Sequence, residues 1–153
     1  MDGGNDSPPF LGNYGQSKTV FDEDKLLERL EVLSSDTFEG RRTNTKGSAK
    51  AREFIIKEFE ILGVAPFGNK YEHKFTFERK GNEIDGENIL AVIPGSVHPK
   101  KYIVVSAHYD HLGIKDGEIY NGADDDASGT SALFSFAEYF SKNQPKHSVI
   151  LAA

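Results

Sequence analysis

The sequence predicts an α/β domain, a three-layer sandwich with a mostly parallel central sheet. Two observations carry this prediction. Two segments with the apolar spacing of helices come first, and short apolar segments bounded by turn residues follow, with one amphipathic segment among them. A chain of 153 residues is long enough for one domain with a sizeable core.

The first part of the chain favours two helices. Residues 22–35 carry a leucine stripe with acidic residues in the first turn, which is typical of a helix start. A polar turn over residues 36–42 separates it from a second helix over residues 48–62. We expect Ser48 to cap that helix and Gly63 to end it.

The second part favours strands. Residues 71–77 alternate, which puts Tyr71, His73, Phe75 and Phe77 on one face of a half-buried strand. Three further segments are apolar throughout, as expected of strands covered on both faces. They are NILAVI at 88–93, YIVVSA at 102–107 and HSVILAA at 147–153, with an amphipathic helix expected over 127–142.

Composition excludes several kinds of protein. The net charge is −6 and no basic run exceeds a pair, so no nucleic-acid partner is expected. No apolar stretch approaches the roughly 18 residues of a membrane span, so none is expected. Cysteine is absent, and any metal ligand must therefore be His, Asp or Glu.

Residues 1–19 are expected to be a flexible polar leader, and residues 20–153 the folded part of the chain. Residues 1–17 are rich in Gly, Asn, Asp and Pro, and they lack the apolar core of a signal peptide. Two interpretations stay open. If the leader is a tether left after a targeting segment was removed, the protein is extracytoplasmic, whether periplasmic, lipid-anchored or secreted. If it is a ragged terminus, the protein is cytoplasmic.

The segment from Ser106 to Gly129 carries the chemistry. His108 follows an apolar strand, and ligands of open α/β sheets gather at the carboxyl ends of strands. Asp110 lies two residues further on, so both side chains could enter one cleft. A carboxylate near a ligating imidazole can take its second N–H and raise its basicity.

Three adjacent acids, Asp124, Asp125 and Asp126, follow a Gly-containing loop and precede the helix expected over 127–142. Their mutual repulsion can be relieved by a divalent cation, for which oxygen and imidazole ligands suit zinc. The helix N-terminus also favours negative charge. The alternative is that Asp126 only caps the helix and the acids have no metal role.

Two motifs together resemble the co-catalytic two-zinc aminopeptidases, which include bacterial secreted leucine aminopeptidases and relatives of glutamate carboxypeptidase and the transferrin receptor. The motifs are AHYDHLG at 107–113 and NGADDDASG at 121–129. The stretch SDTFEGR at 35–41 and the helix ending in Leu62 and Gly63 are similar to the entry of that family's catalytic domain.

The resemblance implies site residues and cofactors. His108 is implied as a ligand of the first zinc, Asp110 as the acid that orients it, and Asp125 as the carboxylate that bridges two zinc ions. His111 matches a position that is not a ligand. The other histidines, at positions 73, 98 and 147, are interpreted as structural.

The resemblance further implies a metallo-exopeptidase that removes N-terminal residues from peptides. Its pattern requires a Glu-Glu pair, an Asp and a His beyond residue 153, so the chain would cover part of the domain and be inactive by itself. Alternatives from other classes are a single-zinc glutaminyl cyclase, a receptor-type relative without catalysis, and a binding domain whose acids only cap a helix.

The last apolar segment leads to one more expectation. If the strand over residues 148–153 lies at a sheet edge without cover, its unpaired backbone groups invite pairing with another molecule. The sequence therefore predicts either self-association through that strand or a longer chain that supplies its cover.

Overall fold

The structure, a computed structural model, describes residues 20–153, so the expected leader over residues 1–19 lies outside the described residues. Three α-helices span Glu23–Leu33 (α1), Lys46–Ile61 (α2) and Ser128–Lys142 (α3), and a 3₁₀ turn spans Asp36–Arg41. The strands are Ala65–Pro66 (β1), Glu72–Arg79 (β2), Asn82–Ile93 (β3), His98–Ser106 (β4), Gly113–Lys115 (β5), Glu118–Tyr120 (β6) and His147–Ala152 (β7). The α/β class expected from the sequence is confirmed.

The central sheet has five strands, with the order β1-β3-β7-β4 and with β2 paired to the first part of the long strand β3. The pair β4–β7 is parallel, whereas β3 runs antiparallel to β1, β2 and β7. The strands β5 and β6 form a separate two-stranded sheet. Among residues 20–153, no helix is both long enough and apolar enough to cross a membrane.

The core lies between one face of the sheet and the three helices. Ile89 and Leu151 face the helices from β3 and β7 and are completely buried. Phe59 of α2 and Phe134 of α3 meet above them with ring centroids 5.4 Å apart. Burial of each such side chain contributes about 1.5–3 kcal/mol, which holds the helices against the sheet.

Two caps define where the first helices begin. The carboxylate of Asp22 accepts a hydrogen bond from the backbone N–H of Lys25 and starts α1. The second helix begins earlier than the sequence predicts, because Thr45 and not Ser48 is its cap. The hydroxyl of Thr45 accepts the N–H of Ser48, so Ser48 lies inside the first turn.

The expectation that residues 148–153 form an uncovered edge strand is wrong. Strand β7 lies between β3 and β4 and pairs with both, and its Val149 and Leu151 are buried. One edge strand of the described sheet is β4, which the sequence predicts to be covered on both faces. Its Tyr102, Ile103 and Val104 are each more than half exposed.

We therefore expect the chain to self-associate through β4, because an exposed apolar edge offers unpaired backbone groups to another strand. Val104→Lys should weaken association, since a charge would have to be buried in the paired sheet. Sedimentation velocity over micromolar concentrations measures it. Leu27→Lys, at a similarly exposed site on α1, is the control, and equal association of all three proteins would contradict the prediction.

Candidate metal centre

The candidate site lies where β4 ends and α3 begins. His108 and Asp110 follow β4 directly, and Asp125 lies in a π-helical turn over Ala123–Ala127 that leads into α3. The hydroxyl of Thr130 in α3 donates a hydrogen bond to the backbone oxygen of His108 at 3.1 Å. The chain thus leaves the sheet, forms the β5–β6 hairpin and returns to the same place.

His108 and Asp125 converge as expected from the sequence. His108 Nε2 lies 2.9 Å from Asp125 Oδ1, and the other ring nitrogen, Nδ1, lies 3.0 Å from the backbone oxygen of Asp110 and 3.4 Å from its Oδ1. A carbonyl oxygen only accepts, so Nδ1 carries the hydrogen in this arrangement. In a neutral ring, the lone pair of Nε2 would then face a carboxylate oxygen, and the two atoms would repel each other. A proton or a cation between them is needed to remove this repulsion.

Burial lowers the pKa of His108, but hydrogen bonding to the Asp110 carbonyl and the charges of Asp110, Asp125 and Asp126 outweigh it. The net effect is a raised pKa. The metal-free imidazole therefore tends to hold a proton on Nε2. That proton must leave before a metal can bind at this nitrogen.

The three adjacent acids have different environments. Asp126 Oδ1 accepts a hydrogen bond from the backbone N–H of Gly129 at 2.9 Å, so this residue caps α3, as the alternative interpretation of the sequence holds. Asp125 instead faces His108, and Asp124 is exposed. One acid supports the helix and its neighbour is left available as a ligand.

The donor set suits zinc but is incomplete. Imidazole nitrogen and carboxylate oxygen are both usual zinc ligands, and the 2.9 Å between His108 Nε2 and Asp125 Oδ1 is compatible with two bonds of roughly 2 Å to one ion. Within residues 20–153, however, no group of three or more His, Cys, Asp or Glu side chains is arranged to hold a metal. Catalytic zinc usually has three protein ligands, so further ligands are required.

Arg41 ties the two parts of the site together. Its side chain is completely buried, and its guanidinium donates to the backbone oxygens of Tyr109, Asn121 and Gly122 at 2.6–2.8 Å, and to that of Leu33. Tyr109 belongs to the loop after β4, whereas Asn121 and Gly122 belong to the loop before Asp125. One side chain therefore fixes both loops, each of which carries a candidate ligand.

Two opposing effects act on the pKa of Arg41. Burial lowers the pKa of its guanidinium, and the nearby charges of Asp110 and Asp125 oppose that shift. The buried cation in turn reduces the repulsion between these two carboxylates. The sequence offered only one signal for this role, the presence of Arg41 within the SDTFEGR stretch.

His111 is a residue that the sequence interpretation left out. Its Nδ1 lies 3.6 Å from Asp125 Oδ2, its ring packs on Gly122, and its side chain is largely buried. Its backbone N–H donates to the backbone oxygen of Arg41 at 3.3 Å. The structure thus places His111 beside the free oxygen of Asp125, where an N–H could orient that carboxylate.

The other histidines lie elsewhere. His73 Nε2 lies 3.1 Å from the backbone oxygen of Phe67, and the rings of His98 and His147 lie 4.9 Å apart where β4 and β7 begin. These contacts agree with the structural interpretation of the three residues.

A cleft of about 820 Å³ adjoins the candidate site. His108, Tyr109 and Asp110 line one side, and the β2–β3 hairpin lines another. Thr43 borders it as well and donates a hydrogen bond from its hydroxyl to Asp110 Oδ2 at 3.2 Å. Substrate-sized molecules can therefore reach His108 and Asp110.

Residues 88–153 match the family model described as peptidase family M28. The chain is 40% identical over 120 residues to the "Probable zinc metalloprotease" of Pyrenophora tritici-repentis, a match that covers 72% of this chain and 25% of that protein. The chain thus spans about a quarter of the length of this curated relative. The matched family region contains both motifs of the candidate site.

Two solved structures share the fold. The glutaminyl cyclase of Fimbriiglobus ruber superimposes with a TM-score of 0.71 at 21% identity, covering 86% of this chain and 44% of its own. A Zn-dependent exopeptidase from Parabacteroides distasonis superimposes with a TM-score of 0.67 at 20% identity, covering 86% and 46%. At these identities the likeness establishes the fold alone.

Replacement of Arg41 should destabilise the protein strongly. Arg41→Met leaves four backbone oxygens without their donor, and we expect the free energy of unfolding to fall by at least about 3 kcal/mol. Urea denaturation measures this loss. Arg42→Met, at the exposed neighbouring position, should change it by less than about 0.5 kcal/mol. Similar losses in both variants would show that Arg41 has no special structural role.

Proposed function

Because residues 88–153 match peptidase family M28, we propose that residues 20–153 are part of the catalytic domain of a zinc-dependent exopeptidase, an aminopeptidase that removes N-terminal residues from peptides. One observation carries the proposal. His108 Nε2 and Asp125 Oδ1 lie 2.9 Å apart beside an open cleft, in the two motifs that resemble the aminopeptidases.

Each residue of the site then has a role. His108 binds the metal through Nε2, and Asp125 binds it through Oδ1. Asp110 keeps the hydrogen of His108 on Nδ1 through its backbone oxygen and carboxylate, which leaves the Nε2 lone pair for the metal. Thr43 holds the Asp110 carboxylate in place. Zinc bound here would supply a more acidic water and polarise a substrate carbonyl.

The remaining parts of the proposal rest on the resemblance. It implies two zinc ions bridged by Asp125, with the general base and the other ligands outside these 153 residues. The isolated chain is then expected to be inactive, in keeping with the incomplete donor set of the described residues. An extracytoplasmic location is proposed as well, because the leader is interpreted as a tether left after a targeting segment was removed.

A second candidate is a glutaminyl cyclase, which uses one zinc and cyclises N-terminal Gln. Solved structures of that name share the fold, which is compatible with this candidate. The curated relative named as a zinc metalloprotease, 40% identical, supports the peptidase instead. A receptor-type relative without metal is disfavoured by the convergence of His108 and Asp125.

Zinc binding tests the ligand assignment in this chain. His108→Ala and Asp125→Ala should each reduce zinc affinity at least tenfold in isothermal titration calorimetry, because each removes one of two converging donors. Asp124→Ala is the matched control, since it removes the same charge from the adjacent exposed position. Equal losses for Asp124→Ala and Asp125→Ala would mean that zinc only responds to the local negative charge.

Substrate selectivity tests the reaction in the full-length protein. With zinc, it should hydrolyse aminoacyl-p-nitroanilides that have a free amine and leave the N-acetylated compounds intact, since an aminopeptidase must bind the free amine. Release of p-nitroaniline, followed by its absorbance, is the measurement. Equal rates on both substrates would reject an aminopeptidase, and cyclisation of Gln peptides without cleavage would favour the cyclase.

A further inference from the structure

The cleft beside the candidate site has an aromatic wall. Phe75 and Phe77 are alternate residues of β2 and therefore project from the same face of the strand. Their ring centroids lie 5.9 Å apart with 27° between the ring planes. Both side chains line the cleft, and they remain 43% and 40% exposed. Such a pair leaves apolar surface available to a molecule in the cleft.

A glycine on the neighbouring strand sets the position of the first ring. Phe75 lies opposite Gly86 in the β2–β3 register, and a Cβ atom at position 86 would overlap the tip of the Phe75 ring. The ring therefore lies flat against the backbone of the buried Gly86. A glycine inside a strand often marks a place where another group must approach closely.

The charges around this wall are already paired. Glu87 forms ion pairs with Arg52 and with Lys74, the latter at 3.3 Å. The carboxylate of Asp85 accepts a hydrogen bond from the hydroxyl of Thr76 at 2.8 Å. These charged and polar residues alternate with Phe75 and Phe77 along the hairpin, and the wall formed by the two rings offers apolar contact.

From these contacts we infer that Phe75 and Phe77 bind an aromatic or branched aliphatic side chain of the peptide substrate, a specificity site that rests on the proposed exopeptidase function. His108 and Asp110 line the same cleft, so one part of it adjoins the candidate metal centre and another part adjoins the hairpin. Transfer of that side chain from water onto the two rings favours binding.

Kinetics of the full-length protein test the specificity. The substrates are tripeptide amides with a free N-terminal amine, in which Phe, Leu or Gly occupies each position in turn. The value of kcat/KM is measured for each substrate. We expect at least a tenfold preference for Phe over Gly at one position. The double variant Phe75→Ala, Phe77→Ala should reduce this preference to less than twofold.

Two further variants sharpen the kinetic test. Gly86→Ala keeps both rings but displaces that of Phe75, and it should lower the preference at the same position. Leu27→Ala removes an even more exposed apolar side chain from α1, outside the cleft, and should leave the preference unchanged. If the double variant retains the full preference, the specificity site is wrong and the exopeptidase function still stands.

A binding measurement decides the inference without catalysis. The 153-residue chain, labelled with ¹³C in its phenylalanine rings, is titrated with Leu-Phe-amide and with Leu-Gly-amide. The NMR signals of Phe75 and Phe77 are assigned with Phe→Leu variants. They should shift to saturation with the first peptide, and the affinity for the second peptide should be at least fivefold lower. Unchanged signals would overturn the inference. Absence of peptide hydrolysis by the full-length protein would reject the proposed function instead.

Discussion

The buried guanidinium of Arg41 is the interaction on which the site depends. A cation without water is stabilised only if hydrogen bonds replace its hydration, and here four backbone oxygens do so. These oxygens belong to the end of α1, the loop after β4 and the loop before α3. Because one rigid planar group donates to all of them, the three segments can move only together. The loops that carry His108 and Asp125 are thereby held in a fixed position relative to each other.

This support matters because the site itself is dominated by negative charge. Asp110, Asp125 and Asp126 surround a single imidazole, and their repulsion would separate the loops if nothing opposed it. Asp126 is stabilised by the N-terminus of α3, and Arg41 lies close to the other two. A proton or a metal ion between His108 and Asp125 completes the neutralisation. The described residues thus place a histidine nitrogen and a carboxylate oxygen where one cation could contact both.

The hairpin β2–β3 contributes a different kind of order. Its outer part, β2 and the first half of β3, is mostly exposed, so side chains there line the cleft more than the core. Its flat aromatic surface depends on Gly86, and Glu87 is paired with Lys74 of the hairpin and with Arg52 of α2. The ionisable side chains of His108 and Asp110 and the apolar rings of Phe75 and Phe77 therefore line the same cleft. This division separates the chemistry at His108 from the contacts that would select a substrate.

The sequence by itself determined the helices, the apolar strands and the motif residues, because periodicity, caps and motifs are local properties of the chain. It also indicated Asp125 as a candidate ligand and Asp126 as a cap. Only the tertiary structure decided that β7 is central and β4 is the edge, because equally apolar strands do not reveal their partners. It alone identified Arg41 as the buried support, since the oxygens that satisfy an arginine from a polar turn come together only when distant segments pack.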